Sequence, residues 1–103
     1  MGDVLKAAFL FVAPEADPGV HRQWVKTPKV HLLVLGASSY QAAAETAKEL
    51  VAKEGIQAIE LCGGFGHRGT SLVAEAVGTS VPVGVVRFDI HPGLANRSGD
   101  SLF

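Results

Sequence analysis

Four short apolar runs, Val4 to Val12, Val30 to Leu35, Ile56 to Cys62 and Val81 to Phe88, most constrain what this chain can form. Each has the length and the β-branched or aromatic content of a buried strand, and segments of helical periodicity separate the last three. A strand reaches a parallel neighbour only through a crossover, and such crossovers are right-handed. The second, third and fourth runs are therefore expected to be parallel, while the direction of the first stays open. The expected fold is a compact α/β domain spanning residues 1–103, with a four-stranded, mostly parallel open sheet and two main helices in the order β-β-α-β-α-β.

The first helix is marked by Ser38 and Gln41, spaced as a capping box, and by a stripe of Tyr40, Ala43, Ala44, Ala47, Leu50 and Val51, with Gly55 as its stop. The second is expected over Thr70 to Val77, with Leu72, Val73, Ala76 and Val77 toward the core and Gly78 ending it. Val20 to Pro28, charged and flanked by prolines, reads as a surface connection. Leu94 to Ser101 reads as an extension of the domain. Two helices cannot easily cover both faces of so apolar a sheet, so a homo-oligomer is expected.

Apolar residues make up 48% of the chain, and nine Lys and Arg face ten Asp and Glu for a formal net charge of -1. Without a basic stripe, binding driven by phosphate neutralisation is not indicated, so no nucleic-acid partner is expected. No apolar run approaches the roughly 20 residues that cross a bilayer, and no membrane partner is expected. Lys6 and the run Ala7 to Ala13 imitate a signal peptide, but no small-residue cleavage pattern follows; Gly2 lacks the Ser or Thr a myristoylation motif needs, since Lys6 stands there. Cys62 is the single cysteine, which excludes an internal disulfide and agrees with a cytoplasmic location.

In open α/β sheets ligands lie beyond the carboxyl ends of the strands. That rule gathers Gly36 to Ser39, Cys62 to Gly69 and Asp89 to Gly93 on one rim, joined by Glu15, Asp17 and His21 if the first strand is also parallel. The loop Gly63-Gly64-Phe65-Gly66-His67-Arg68-Gly69 is the candidate ligand cradle, because glycine lets backbone amides approach an anion and a helix start favours negative charge. Gly64 to Gly69 fits G-x-G-x-x-G, with Asp89 at the distance of a ribose-binding acid, so a nucleotide or dinucleotide is an alternative; yet a second mononucleotide-binding half has no room. Thr70 and Ser71 follow where a P-loop needs Lys, which argues against an NTPase.

Alternation places Arg87, Asp89 and His91 on one side of an extended backbone. With His67 they are candidates for proton transfer, and His67, Asp89 and His91 would be the ligands if a metal were used, although no metal motif is present. Cys62 beside His67 is a candidate nucleophile and base, against the plainer reading of a small buried hydrophobe. Glu60, inside an apolar run, is expected to pair with Arg87. No motif fixes a cofactor.

The stretches Phe9 to Pro14, Glu60 to Gly66 and Val81 to Gly93 resemble blocks of a family of small uncharacterised bacterial proteins of unknown function. The resemblance spans nearly the whole chain and brings no activity or site residues with it. The functional expectation is thus a small enzyme or metabolite-binding protein holding a phosphate or carboxylate on the Gly63 to Gly69 amides, Arg68 and Arg87. The competing expectation is a non-enzymatic oligomeric or regulatory domain whose glycine loop is structural.

Overall fold

A computed structural model describes residues 4–103; Gly2 lies outside the described residues. Its strands are β1 (Leu5–Val12), β2 (Arg22–Lys26), β3 (Val30–Ala37), β4 (Ala58–Leu61) and β5 (Val83–Val85), in the sheet order β2-β3-β1-β4-β5. The sheet is therefore five-stranded and mixed, not four-stranded. β1 is central and parallel to both β3 and β4, β4 is parallel to β5, and β2 runs antiparallel to β3.

The additional strand falls where the sequence reads as a connection. A Thr27 turn, in which Thr27 N donates to Val30 O at 2.8 Å, folds β2 back onto β3. As an edge strand β2 buries little: Trp24 alone of its five residues is half-buried. An edge strand carries no continuous apolar run, and its charged residues guard it against further pairing. Trp24 faces Leu33 across the pair, and its ring meets His31 edge-on at 6.5 Å.

Helix α1 (Tyr40–Glu49) follows β3 and runs into a π-helical turn over Leu50–Glu54, ended by Gly55 in the left-handed region at φ 70°. Its cap is Ser39, one residue later than the capping-box pattern suggests: Ser39 Oγ accepts from Ala42 N at 3.1 Å. The third helical residue is thus Ala42, so no Gln side chain completes a box. The expected stripe is otherwise in place, with Tyr40, Ala43, Ala47 and Leu50 buried. Helix α2 (His67–Val77) starts three residues earlier than expected and buries Gly69 and Val73, while Leu72 points to solvent.

Both crossovers, β3 to β4 and β4 to β5, step in the same direction across the sheet. Right-handedness then puts both helices on one face, where they pack together. The core lies beneath them, built from Ala8, Leu10 and Val12 of β1, Leu33 and Leu35 of β3, and Ile59 and Leu61 of β4. The alternate positions, Phe9 and Phe11 with Leu32 and Val34, project from the other face and are only half-buried. β5 is shorter than the apolar run that predicts it. Pro82 has no N–H to give the ladder, and after Val86 donates to Leu61 O the chain leaves the sheet.

Candidate functional site

The parallel strands β1, β3, β4 and β5 end on one rim, and the glycine loop lies at its centre between β4 and α2. What fills this rim comes largely from the chain itself. The last residues fold back, with a 3-10 turn over Gly99–Ser101, and place Asp100 at the start of α2. Asp100 Oδ2 accepts from Arg68 N at 3.1 Å, and Oδ1 accepts from Gly69 N at 3.4 Å. Gly66, the residue before the helix, has no side chain to cap it. Asp100 supplies the missing acceptor and puts a negative charge at the positive end of the helix.

Tyr40 ties this arrangement to α1. Its buried hydroxyl donates to Asp100 Oδ1 at 2.9 Å, accepts from Gly66 N at 3.0 Å and lies 3.3 Å from Gly64 O. Its ring stacks on Phe65 at 5.4 Å and meets Phe103 at 6.3 Å. Burial, with a contribution from the neighbouring Asp100 carboxylate, pushes the Tyr40 phenol from 10.0 up to about 12, against the opposing Gly66 N–H. Asp100 moves the other way. Burial favours its neutral form, but the Arg68 N–H, the Tyr40 hydroxyl and the Gly69 N–H outweigh this and hold its carboxyl below the ordinary range.

Five of the loop amides therefore have internal partners. Gly64 N donates to Cys62 Sγ, Phe65 N to Cys62 O, Gly66 N to Tyr40, and Arg68 N and Gly69 N to Asp100. The glycines also make room: a Cβ at Gly66 would strike the Asp100 carboxylate, and one at Gly69 would meet the Tyr40 ring. One at Gly63 would strike the Phe88 ring. An exogenous anion reaching the Arg68 and Gly69 amides would have to displace Asp100.

Beside this cap opens a cavity of about 670 Å³, between the start of α2, the end of β5 and the C-terminal turn. His67, Arg87, Asp89 and Asp100 bring charge or proton chemistry to its wall, and Phe88 brings exposed aromatic surface, while Phe65 borders the cavity with its ring buried against Tyr40. Of the residues expected at the site, the structure thus gathers Phe65, Gly66, His67, Arg87 and Asp89 on one cavity. Gly63, Gly64, Cys62, Arg68, Gly69 and His91 are not part of its wall. Cys62 is half-buried in a turn as an acceptor for Gly64 N.

Arg87 does not reach Glu60. It pairs with Asp89, with Nη2 at 2.8 Å and Nε at 3.0 Å from Oδ1, and both side chains are well exposed. Glu60 is exposed on the opposite sheet face, beside Phe9 and Gly84 in register, so it needs no buried partner. The chain bends at Asp89 and Ile90, so His91, although extended itself, does not continue the run of Arg87 and Asp89. Its Nδ1 accepts from Gly93 N at 3.0 Å, its backbone bridges Arg97, and its ring lies 4.4 Å from Phe88. Among the described residues no group of three or more His, Cys, Asp or Glu is placed to hold a metal ion.

Parallel β1 does bring the first rim loop to the same end. Asp17 N donates to His21 Nδ1 at 2.9 Å and Gly19 N to Asp17 Oδ1 at 2.8 Å, closing a local turn. Glu15 and His21 line a separate surface depression there.

Sequence reasoning missed Thr70, Ser71, Val85 and Phe88 on the wall and, from the tail, Ser98, Asp100 and Ser101, together with Tyr40, which supports Asp100 from behind. The tail offers one local signal, Ser98 two residues before Asp100, which forms a turn with Ser98 Oγ accepting from Asp100 N.

Fold and site together define an α/β protein with helices on one sheet face and a ligand-sized cavity at the carboxyl ends of its strands. The chain belongs to a family of unknown function, DUF6506, whose model matches residues 5–101. No curated protein and no solved structure matches it. Among the described residues no helix is long and apolar enough to cross a membrane.

Proposed function

We propose that this protein binds a small metabolite in the cavity between α2 and β5, as a binding protein or small enzyme, with Arg87 holding an anionic group of the ligand. The observation that carries this reading is the convergence of His67, Arg87 and Asp89 from two separate segments on one cavity of about 670 Å³, a size typical of ligand sites. With the Arg68 and Gly69 amides taken by Asp100, the Arg87 guanidinium is the charged anion contact on the wall. The Arg87–Asp89 pair is exposed, and pairs of that kind contribute at most about 1 kcal/mol, so a carboxylate or phosphate can replace Asp89 at little cost. His67, at the first turn of α2, is the group placed to exchange a proton with a bound molecule.

A thermal-shift screen against carboxylated and phosphorylated metabolites, followed by calorimetry, tests this. A member of the panel should bind wild-type protein, and Arg87→Ala should weaken it about tenfold or more, the effect of losing a charged hydrogen bond. Equal binding by Arg87→Ala, or no binding by any member, would sink the reading.

A second reading, a self-associating domain, is favoured by the uncovered sheet face. Phe9, Phe11, Leu32 and Val34 form its centre, Val25 and Val30 its exposed border, and Glu60 is the one charged side chain the strands place there. A face with a single charge specifies no oppositely charged partner, whereas a second copy offers a matching apolar face. Strands of up to eight residues, five across, give a projected face of roughly 500 Å², and side-chain relief brings its accessible area toward the about 800 Å² per partner of a stable dimer. Sedimentation should show a dimer, and Phe9→Lys should give a folded monomer. Monomeric wild-type protein at high concentration would refute this.

A further inference from the structure

We infer that the cavity beside α2 selects a zwitterionic ligand, an amino-acid-like molecule whose ammonium group is received by Asp100 while its carboxylate or phosphate meets Arg87. The inference rests on the cavity being a ligand site and adds the class of molecule it takes.

The charge around the cavity is the starting point. Its wall holds two carboxylates, Asp89 and Asp100, and one guanidinium, Arg87. Arg87 and Asp89 neutralise each other through contacts of 2.8 and 3.0 Å. Asp100 is different: its direct donors are the uncharged Tyr40 hydroxyl and the Arg68 and Gly69 amides. The Arg68 side chain acts on it through space, without a salt bridge among the described residues.

A carboxylate has about four acceptor positions, and Asp100 Oδ2 uses one of its own for Arg68 N. It can accept a further donor and can donate to nothing when ionised. A wholly anionic ligand would therefore meet, at one end of the cavity, a carboxylate that no ion pair neutralises. An amine without an acid would leave Arg87 to Asp89. A molecule carrying both charges on a short apolar or aromatic frame answers both ends and places its frame against the exposed Phe88 and Val85.

The test uses L-amino acids, including phenylalanine, beside their des-amino counterparts such as 3-phenylpropionate and their decarboxylated counterparts such as phenethylamine, with binding to the full chain followed by calorimetry. At least one amino acid should bind about tenfold or more tightly than either counterpart. Asp100→Asn should bring that amino acid and its des-amino acid within about twofold of each other. Tyr40→Phe, which loosens the same cap but keeps the carboxylate, should preserve the preference. Des-amino acids that bind wild-type protein as tightly as the amino acids, in an Arg87-dependent way, overturn the inference and leave the cavity reading standing. Failure of every compound, together with failure of the wider metabolite screen, overturns both. Should Asp100→Asn not fold, the comparison of ligands on wild-type protein decides alone.

Discussion

Gly99→Ala is expected to lower the free energy of unfolding by about 3 kcal/mol and to detach the C-terminal turn from the glycine loop. Gly99 is buried, and a Cβ there would run into the backbone carbonyl of Gly64, with the Tyr40 hydroxyl also in its way. A backbone carbonyl cannot swing aside as a flexible side chain does, so the tail itself must move. Asp100 is the next residue. A shift there lengthens its bonds to Arg68 N and Gly69 N and leaves the first turn of α2 without its acceptor. Urea denaturation should show a lower midpoint, and hydrogen exchange should show faster exchange at Arg68 and Gly69 with strands β1 and β3 still protected. Wild-type stability in Gly99→Ala would mean that the tail does not pack as described.

The same tail marks where the sequence could be read and where it could not. Runs such as Leu5–Val12 and Val30–Ala37 are legible because a strand buried in the centre of a sheet needs apolar residues at nearly every position. The stripe from Tyr40 to Leu50 is legible for the corresponding helical reason. β2 was hidden because an edge strand with one half-buried residue has no burial pattern to display. The site divides in the same way. Loop glycines announce a close approach of something to the backbone, and the rule of carboxyl strand ends places them on the rim with Arg87 and Asp89. They do not say what approaches. Here it is Asp100 at Gly66, Tyr40 at Gly69 and Phe88 at Gly63, partners distant in sequence whose own local patterns mark a tail, a core stripe and a strand. At the start of α2, where a ligand anion is expected, the Arg68 and Gly69 amides meet the chain's own Asp100 carboxylate. The Glu60–Arg87 expectation failed because alternation alone cannot tell which sheet face lies open.

Stability should fall at both ends of the pH scale through the buried Tyr40 and the Asp100 carboxylate it meets, and the alkaline limb is the more easily assigned. The phenol of Tyr40 is raised from 10.0 to about 12 in the folded chain. A raised value means that folding favours the protonated form. The contribution is fully present below pH 10.0, falls as pH rises, and is lost above about 12. A difference of that size corresponds to about 3 kcal/mol. Tyr40 is the single tyrosine, so phenolate absorbance reports it alone. On the acid side the sign reverses. The Asp100 carboxyl is lowered, so its contribution is present above the ordinary carboxylate range and disappears as pH falls through the folded value. Tyr40→Phe should remove the alkaline contribution and leave Gly66 N and Asp100 without the hydroxyl they share, costing about 2 kcal/mol at neutral pH. Asp100→Asn should bring the phenol's titration down only part of the way, because burial, the largest cause of its shift, remains. A phenol titrating at its ordinary value in folded wild-type protein would show that Tyr40 is not buried against Asp100. The cavity wall would then lack the support that fixes its carboxylate.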